Sequence, residues 1–145
     1  MLTVDSQQSL TTFHHRRKRI LLRYKTNTIE LLENGIVCFR TQADDLYTDK
    51  DLIQILDLAE QAAEGNPLLL LMMVDKHEFL MTKEARNLFN TYEKALKLIK
   101  AEAVVVNSIS GKILYNLLTR IHRPKFPFRA FTKENEAVKW LLKHK

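Results

Sequence analysis

The chain reads as a single-domain α/β fold: a mixed β-sheet that opens with an antiparallel hairpin, continues as βαβαβα and carries four helices. Three observations predict it. Apolar or aromatic strand-like runs alternate with stretches of helical period from Ile36 to the end. Two of those runs, Leu68–Val74 and Ala103–Val106, are apolar without alternation, as strands are when crossover helices cover both faces of a parallel sheet. And 145 residues, with hydrophobic side chains at 46%, suffice for one core and leave no room for a second domain.

The elements follow in order. Met1 to His15 is rich in Ser, Thr and Gln and reads as frayed, so residues 1–17 are expected to be a flexible basic arm before a domain over 18–145. Arg19–Lys25 and Thr28–Leu32 read as strands, Asn34-Gly35 as the tight turn of a hairpin, and Ile36–Arg40 as its returning strand. Thr48 with Asp51 three residues on makes a capping box for the first helix, whose stripe is Leu52, Ile55, Leu56, Ala59 and Ala63. Gly65-Asn66-Pro67 stops it. After Leu68–Val74, Thr82 is a good cap for a second helix that buries Ala85, Leu88, Phe89, Tyr92, Leu96 and Ile99. A strand over Ala103–Asn107 leads to a third helix capped by Ser110, with Ile113, Leu114, Leu117, Leu118 and Ile121 expected inward. Phe126–Phe131 reads as an edge strand because Pro127 cannot donate to a ladder. Thr132 is expected to cap the last helix, which packs through Ala137, Trp140 and Leu141.

Charge is distributed unevenly. Residues 1–25 hold six bases against Asp5, residues 26–111 eight bases against fourteen acids, and residues 112–145 nine bases against Glu134 and Glu136. A basic arm of this kind fits a solvated tail, a nucleic-acid contact or an acidic membrane, but Arg16–Arg19 is one short cluster without interleaved aromatics. Met1 to Thr12 is polar and no apolar run approaches the roughly 20 residues of a membrane span, so a cytoplasmic protein without membrane insertion is expected. Cys38 lies in a strand without a histidine in the same segment and reads as core. The five histidines show no paired-ligand spacing, and no metal or cofactor is expected.

Several phrases resemble a known family. Ile29–Val37, Glu84-Ala85-Arg86, the strand end Ala103–Ser108, and Lys125–Phe131 leading to Ala137–Leu141 look like the STAS-like, anti-sigma-factor-antagonist-like domains of bacteria, over roughly Thr28 to Leu142. The resemblance implies a regulatory module that binds a kinase or sigma-factor regulator and is switched by phosphorylation of a hydroxyl at the start of the second helix. Thr82 is the matching position. Signalling members carry an Asp-Ser-x-Gly motif there, whereas this chain reads Phe79-Leu-Met-Thr-Lys-Glu-Ala85, and capping alone explains the threonine.

Ligands of open α/β sheets bind beyond the carboxyl ends of the parallel strands. Asp75, His77, Ser108, Ser110 and Lys112 fall on two such ends and form the candidate ligand rim, with Ser110-Gly111-Lys112 opening a helix that would favour an anion. No nucleophile elbow or oxyanion-hole signature accompanies them, so no catalytic residue is assigned and a non-enzymatic role is expected. The leading expectation is a regulatory interaction module, with a protein partner and a homodimer as its assembly. A small-ligand or anion binder is the second reading, and a nucleic-acid accessory protein with basic N- and C-terminal surfaces the third.

Overall fold

The structure is a computed structural model that describes residues 2–7, 19–41, 46–74 and 80–145. Its strands are β1 (Leu2–Gln7), β2 (Arg19–Tyr24), β3 (Asn27–Leu31), β4 (Ile36–Thr41), β5 (Leu46–Tyr47), β6 (Leu68–Val74), β7 (Leu80–Met81), β8 (Ile99–Val105) and β9 (Phe128–Phe131). Its helices are α1 (Asp49–Ala62), α2 (Lys83–Thr91), α3 (Glu93–Leu98), α4 (Ile109–His122) and α5 (Glu134–Leu142). Seven strands make one sheet in the order β1-β2-β3-β4-β6-β8-β9, and β5 pairs with β7 beside it.

The sheet is mixed, as expected. β1 to β4 are antiparallel neighbours, and β4, β6, β8 and β9 are parallel. Asn34-Gly35 turns β3 into β4: Gly35 takes φ +85°, and the Asn34 side-chain oxygen accepts from the Ile36 N–H at 3.1 Å. The Leu68 and Ala103 runs are buried parallel neighbours, paired Leu71 to Ala103 and Met73 to Val105.

Alternation along the strands divides the core in two. One face of the sheet, with Val37, Phe39, Leu70, Met72, Val104 and Val106, is covered by α1, α2 and α3. The other, with Ile36, Cys38, Leu69, Leu71, Ala103 and Val105, is covered by α5 through Ala137 and Leu141. Repeated crossovers of one hand, stepping in one direction from β4 to β8, place their helices on the same face. α1 begins with the expected capping box: the Thr48 hydroxyl accepts from the Asp51 N–H and the Asp51 carboxylate from the Thr48 N–H. It ends where Glu64 and Gly65 turn to positive φ and the Gly65 N–H closes on the Glu60 carbonyl at 2.9 Å.

Six sequence expectations are corrected. Leu2–Gln7, expected to fray, pairs with β2 as a strand, while 8–18 lie outside the described residues. The second helix is two helices, making five rather than four among the described residues. Tyr92, with φ −81° and ψ 107°, is extended and closes α2 while opening α3; Lys94 then holds Asp57 at 2.6 Å and Glu60 at 3.0 Å, fixing α3 against α1. Ile99 consequently leaves the helical stripe and starts β8. Ser108, not Ser110, caps α4, because the extended backbone lies at Ser108 and its hydroxyl reaches the Gly111 N–H at 3.1 Å. Lys133 rather than Thr132 precedes α5, without a side-chain cap, and Glu134 and Glu136 complement the helix dipole instead. The sixth correction concerns the face that α4 buries, and it defines the site below.

Candidate functional site

At the rim, the structure brings the β6 and β8 ends side by side, since Met73 pairs with Val105. Asp75 and His77 lie outside the described residues. Ser108 and Ser110 are exposed with hydroxyls 3.4 Å apart, and Lys112 is half-buried with its N–H donating to the Ser108 carbonyl. The Ser108 hydroxyl is occupied as a cap, and a Cβ on Gly111 would come within 3.0 Å of it, so the glycine keeps that turn tight. Thr82 is likewise engaged: its hydroxyl accepts from the Ala85 N–H at 3.1 Å and its own N–H donates to the Tyr47 carbonyl at 2.9 Å, tying α2 to β5.

The feature that sequence reasoning placed wrongly is α4. Ile113, Leu114, Leu117, Leu118 and Ile121 were expected inward and instead are 38–65% exposed, joined by Ile109 at 72%. At 100° per residue, Ile113, Leu114, Leu117 and Ile121 share the outward side, while Lys112, Tyr115, Asn116 and Thr119, all half-buried, share the inward one. The helix is amphipathic with its apolar side in water.

Asn116 explains the orientation. In β9 the residues whose backbone faces β8 are those flanking Ala130, so Ala130 presents its N–H and C=O to the open edge of the sheet. The Asn116 carboxamide meets both, accepting from the Ala130 N–H at 2.9 Å and donating to its carbonyl at 3.4 Å. One side chain thus replaces a missing strand neighbour and blunts the edge. The polar side of α4 must face β9 to do so. The stripe left outside amounts to roughly 600 Å² of apolar surface, the upper end of the largest patch found on a monomer.

Two buried acids have carboxyls shifted well away from the ordinary range. Asp51 is drawn upward by burial, but the Thr48 N–H, the Tyr24 hydroxyl at 2.7 Å, the Lys25 ammonium at 3.1 Å and the Thr48 hydroxyl outweigh that and hold it at about 2. It ties the N-terminus of α1 to the β2–β3 turn, above a buried set in which the Tyr47 hydroxyl donates to Asn27 and contacts Thr41. Glu102 is different. It is 4% exposed on β8 between Leu70 and Phe128, with no hydrogen-bond or ion-pair partner among the described residues, and burial raises its carboxyl to about 8. Among the described residues no group of His, Cys, Asp and Glu is placed to hold a metal, and no helix is long and apolar enough to cross a membrane.

A seven-stranded sheet with this order and these helices defines a SpoIIAA-like, STAS-like α/β domain. The comparison is with the crystal structure of an uncharacterized protein from the DUF3478 family with a SpoIIAA-like fold, from Shewanella loihica PV-4: the TM-score is 0.50 at 16% identity, covering 97% of this chain and 93% of that one. The chain belongs to the family described as Domain of unknown function (DUF7793), whose model matches residues 30–145. None of the curated proteins matches it.

Proposed function

We propose that this protein is a non-enzymatic interaction module, of regulatory type, that docks through the outward face of α4. One observation carries the reading: a 14-residue helix turns Ile113, Leu114, Leu117 and Ile121 to solvent while its polar side is committed to the sheet edge. Leaving such a stripe in water is unfavourable by about 25 cal/mol per Å², and a docked partner removes that loss.

The rim gives less support to a ligand site. Ser108 and Thr82 both spend their hydroxyls on helix N–H groups, so each has a structural occupation that accounts for it. On this reading Thr82 is a cap, not a phosphorylation switch. The nucleic-acid reading needs one continuous basic surface, yet Arg19 starts β2 whereas Arg123, Lys125 and Arg129 lie around β9. Those strands are five sheet positions apart, roughly 24 Å at the usual spacing.

The test uses wild type, an Ile113→Lys/Leu117→Lys double variant and a Lys50→Ala control on α1 as baits in an extract of the native host. A protein held by wild type and control but lost with the double variant is the expected result. Equal capture by all three baits refutes docking through α4. Catalysis is checked separately with generic esterase, phosphatase and nucleotide-hydrolysis substrates: turnover abolished by Ser108→Ala or His77→Ala would overturn the non-enzymatic part.

A further inference from the structure

We infer that the surface covering α4 is a second copy of this chain, joined through antiparallel α4 helices about a two-fold axis near Ile113 and Leu117. The inference rests on the reading of α4 as a docking face and names its occupant. Among the described residues, the large hydrophobic side chains left exposed are the six of α4 and Leu46. Among the described side chains, the only extended apolar surface that a second copy offers to the stripe is therefore the stripe itself. That is the condition for an isologous, closed pair rather than a chain of head-to-tail contacts.

Shape and area agree. Ile109, Ile113, Leu117 and Ile121 form one i, i+4 ridge, and Ser110, Leu114 and Leu118 form the next, opening with a small side chain. Two such ridged surfaces interdigitate at a crossing of about −50°, the commonest helix packing in globular proteins. The roughly 600 Å² exposed on each copy sets a ceiling of about 1,200 Å² for the apolar surface that the pair buries, which reaches the lower bound of a specific stable interface. Because Asn116 already occupies the Ala130 edge, continuation of the sheet from β9 does not compete with helix-on-helix pairing.

Charge supplies a signature that separates this occupant from a foreign one. No acid occurs between Glu102 and Glu134, whereas Lys112, Arg120, Arg123, Lys125, Arg129 and Lys133 do. The stripe is uncharged, but the exposed Arg120 on α4 and Arg123 and Lys125 just beyond its end bring like charge to the rim of a two-fold pair. Raising salt therefore strengthens self-association, whereas an acidic partner protein would be weakened.

Sedimentation equilibrium decides it. Wild type at about 100 µM should show twice the 17.0 kDa chain mass, with dissociation tightening as ionic strength rises from about 0.05 to about 0.5 M. Ile113→Lys/Leu117→Lys should sediment at 17.0 kDa with an unchanged far-ultraviolet spectrum. Should that variant unfold, Ile121→Lys at the end of the stripe should still weaken the pair at least tenfold. A wild type that stays monomeric at both salt levels overturns the inference, as does a dimer untouched by the α4 substitutions. Monomeric wild type whose α4 variants still lose a captured protein refutes the second copy and leaves the docking face standing. Monomeric wild type with capture unchanged removes both.

Discussion

Replacing Glu102 by Gln should stabilise the protein at neutral pH, by an amount that grows with pH. The carboxyl sits at 4% exposure between Leu70 and Phe128 on the face that Val104 and Val106 also line, and no partner among the described residues offsets its desolvation. Burial moves it from 4.5 to about 8. Between those values the folded chain holds a proton that the unfolded chain has released, so the unfolded state binds fewer protons and stability falls as pH rises. The slope is about 1.4 kcal/mol per pH unit over that window and zero on either side. At pH 7 the accumulated loss is about 3 kcal/mol, a large part of the 5–15 kcal/mol typical of a domain.

Gln keeps the shape and cannot ionise, but its amide is still unpaired, so the gain at pH 7 should be about 2 kcal/mol. Glu102→Met removes the polar group as well and should gain more. Urea unfolding of wild type and both variants at pH 5, 6, 7 and 8 measures the difference directly. The Gln variant should converge towards wild type near pH 5 while the Met variant keeps a constant extra margin, and both should diverge steadily from wild type above it. A wild-type-minus-Gln difference that is flat across this range would show that Glu102 finds a partner or water in the folded state, and the reasoning from its isolation would fail.

Asp51 acts with the opposite sign. Its carboxyl is lowered from 3.8 to about 2, so its contribution is complete above about pH 4 and disappears as pH falls through about 2; with Lys25 half-exposed and screened, Asp51→Asn should cost about 1–2 kcal/mol at pH 7 and nothing near pH 2, by thermal melts at the two values. Thr82→Ala should cost about 1 kcal/mol in urea unfolding and Thr82→Asp almost nothing, because Asp caps as well and suits the helix dipole. A single phosphate mapped to Thr82 by intact-mass analysis of protein from the native host would defeat the capping reading. Asn116→Leu should cost about 1–2 kcal/mol and raise amide exchange at Ala130, whose N–H would lose its acceptor.

Much of the fold was legible because its signals are local or compositional. Apolar runs without alternation mark strands covered on both faces, and Leu68–Val74 and Ala103–Val106 needed no other information to be placed as buried parallel neighbours. Thr48 with Asp51, Thr82, and Asn34-Gly35 act within a few residues of themselves, so their roles survive folding unchanged. The break at Tyr92 was not legible in this way. The helical period runs on through Leu96, and what redirects the chain is a contact to Asp57 and Glu60, more than thirty residues earlier. Glu102 was hidden for a similar reason: the apolar run marks a strand only from Ala103, which leaves the acid before it outside, and only the pairing with β6 and β9 shows that both of its sides are closed.

α4 shows most clearly what periodicity can and cannot decide. Apolar residues at i, i+3 and i+4 establish that a helix has two faces, but the inference that the apolar face turns inward assumes that the interior has nothing polar to satisfy. Here it does. The last strand leaves the N–H and C=O of Ala130 at an open edge, and Asn116, about 100° around the helix from Leu117, answers both. Rotating α4 to bury Ile113 and Leu117 would carry Asn116 away and unpair that backbone, so satisfying the edge and burying the stripe within one chain are mutually exclusive. The sequence held a sign of this choice in the run Lys112, Tyr115, Asn116, Thr119, a second stripe of helical spacing that is polar and hydrogen-bonding rather than merely hydrophilic. A fold that resolves the conflict in favour of the edge leaves the apolar stripe of α4 exposed, which is the observation behind the proposed docking through that helix.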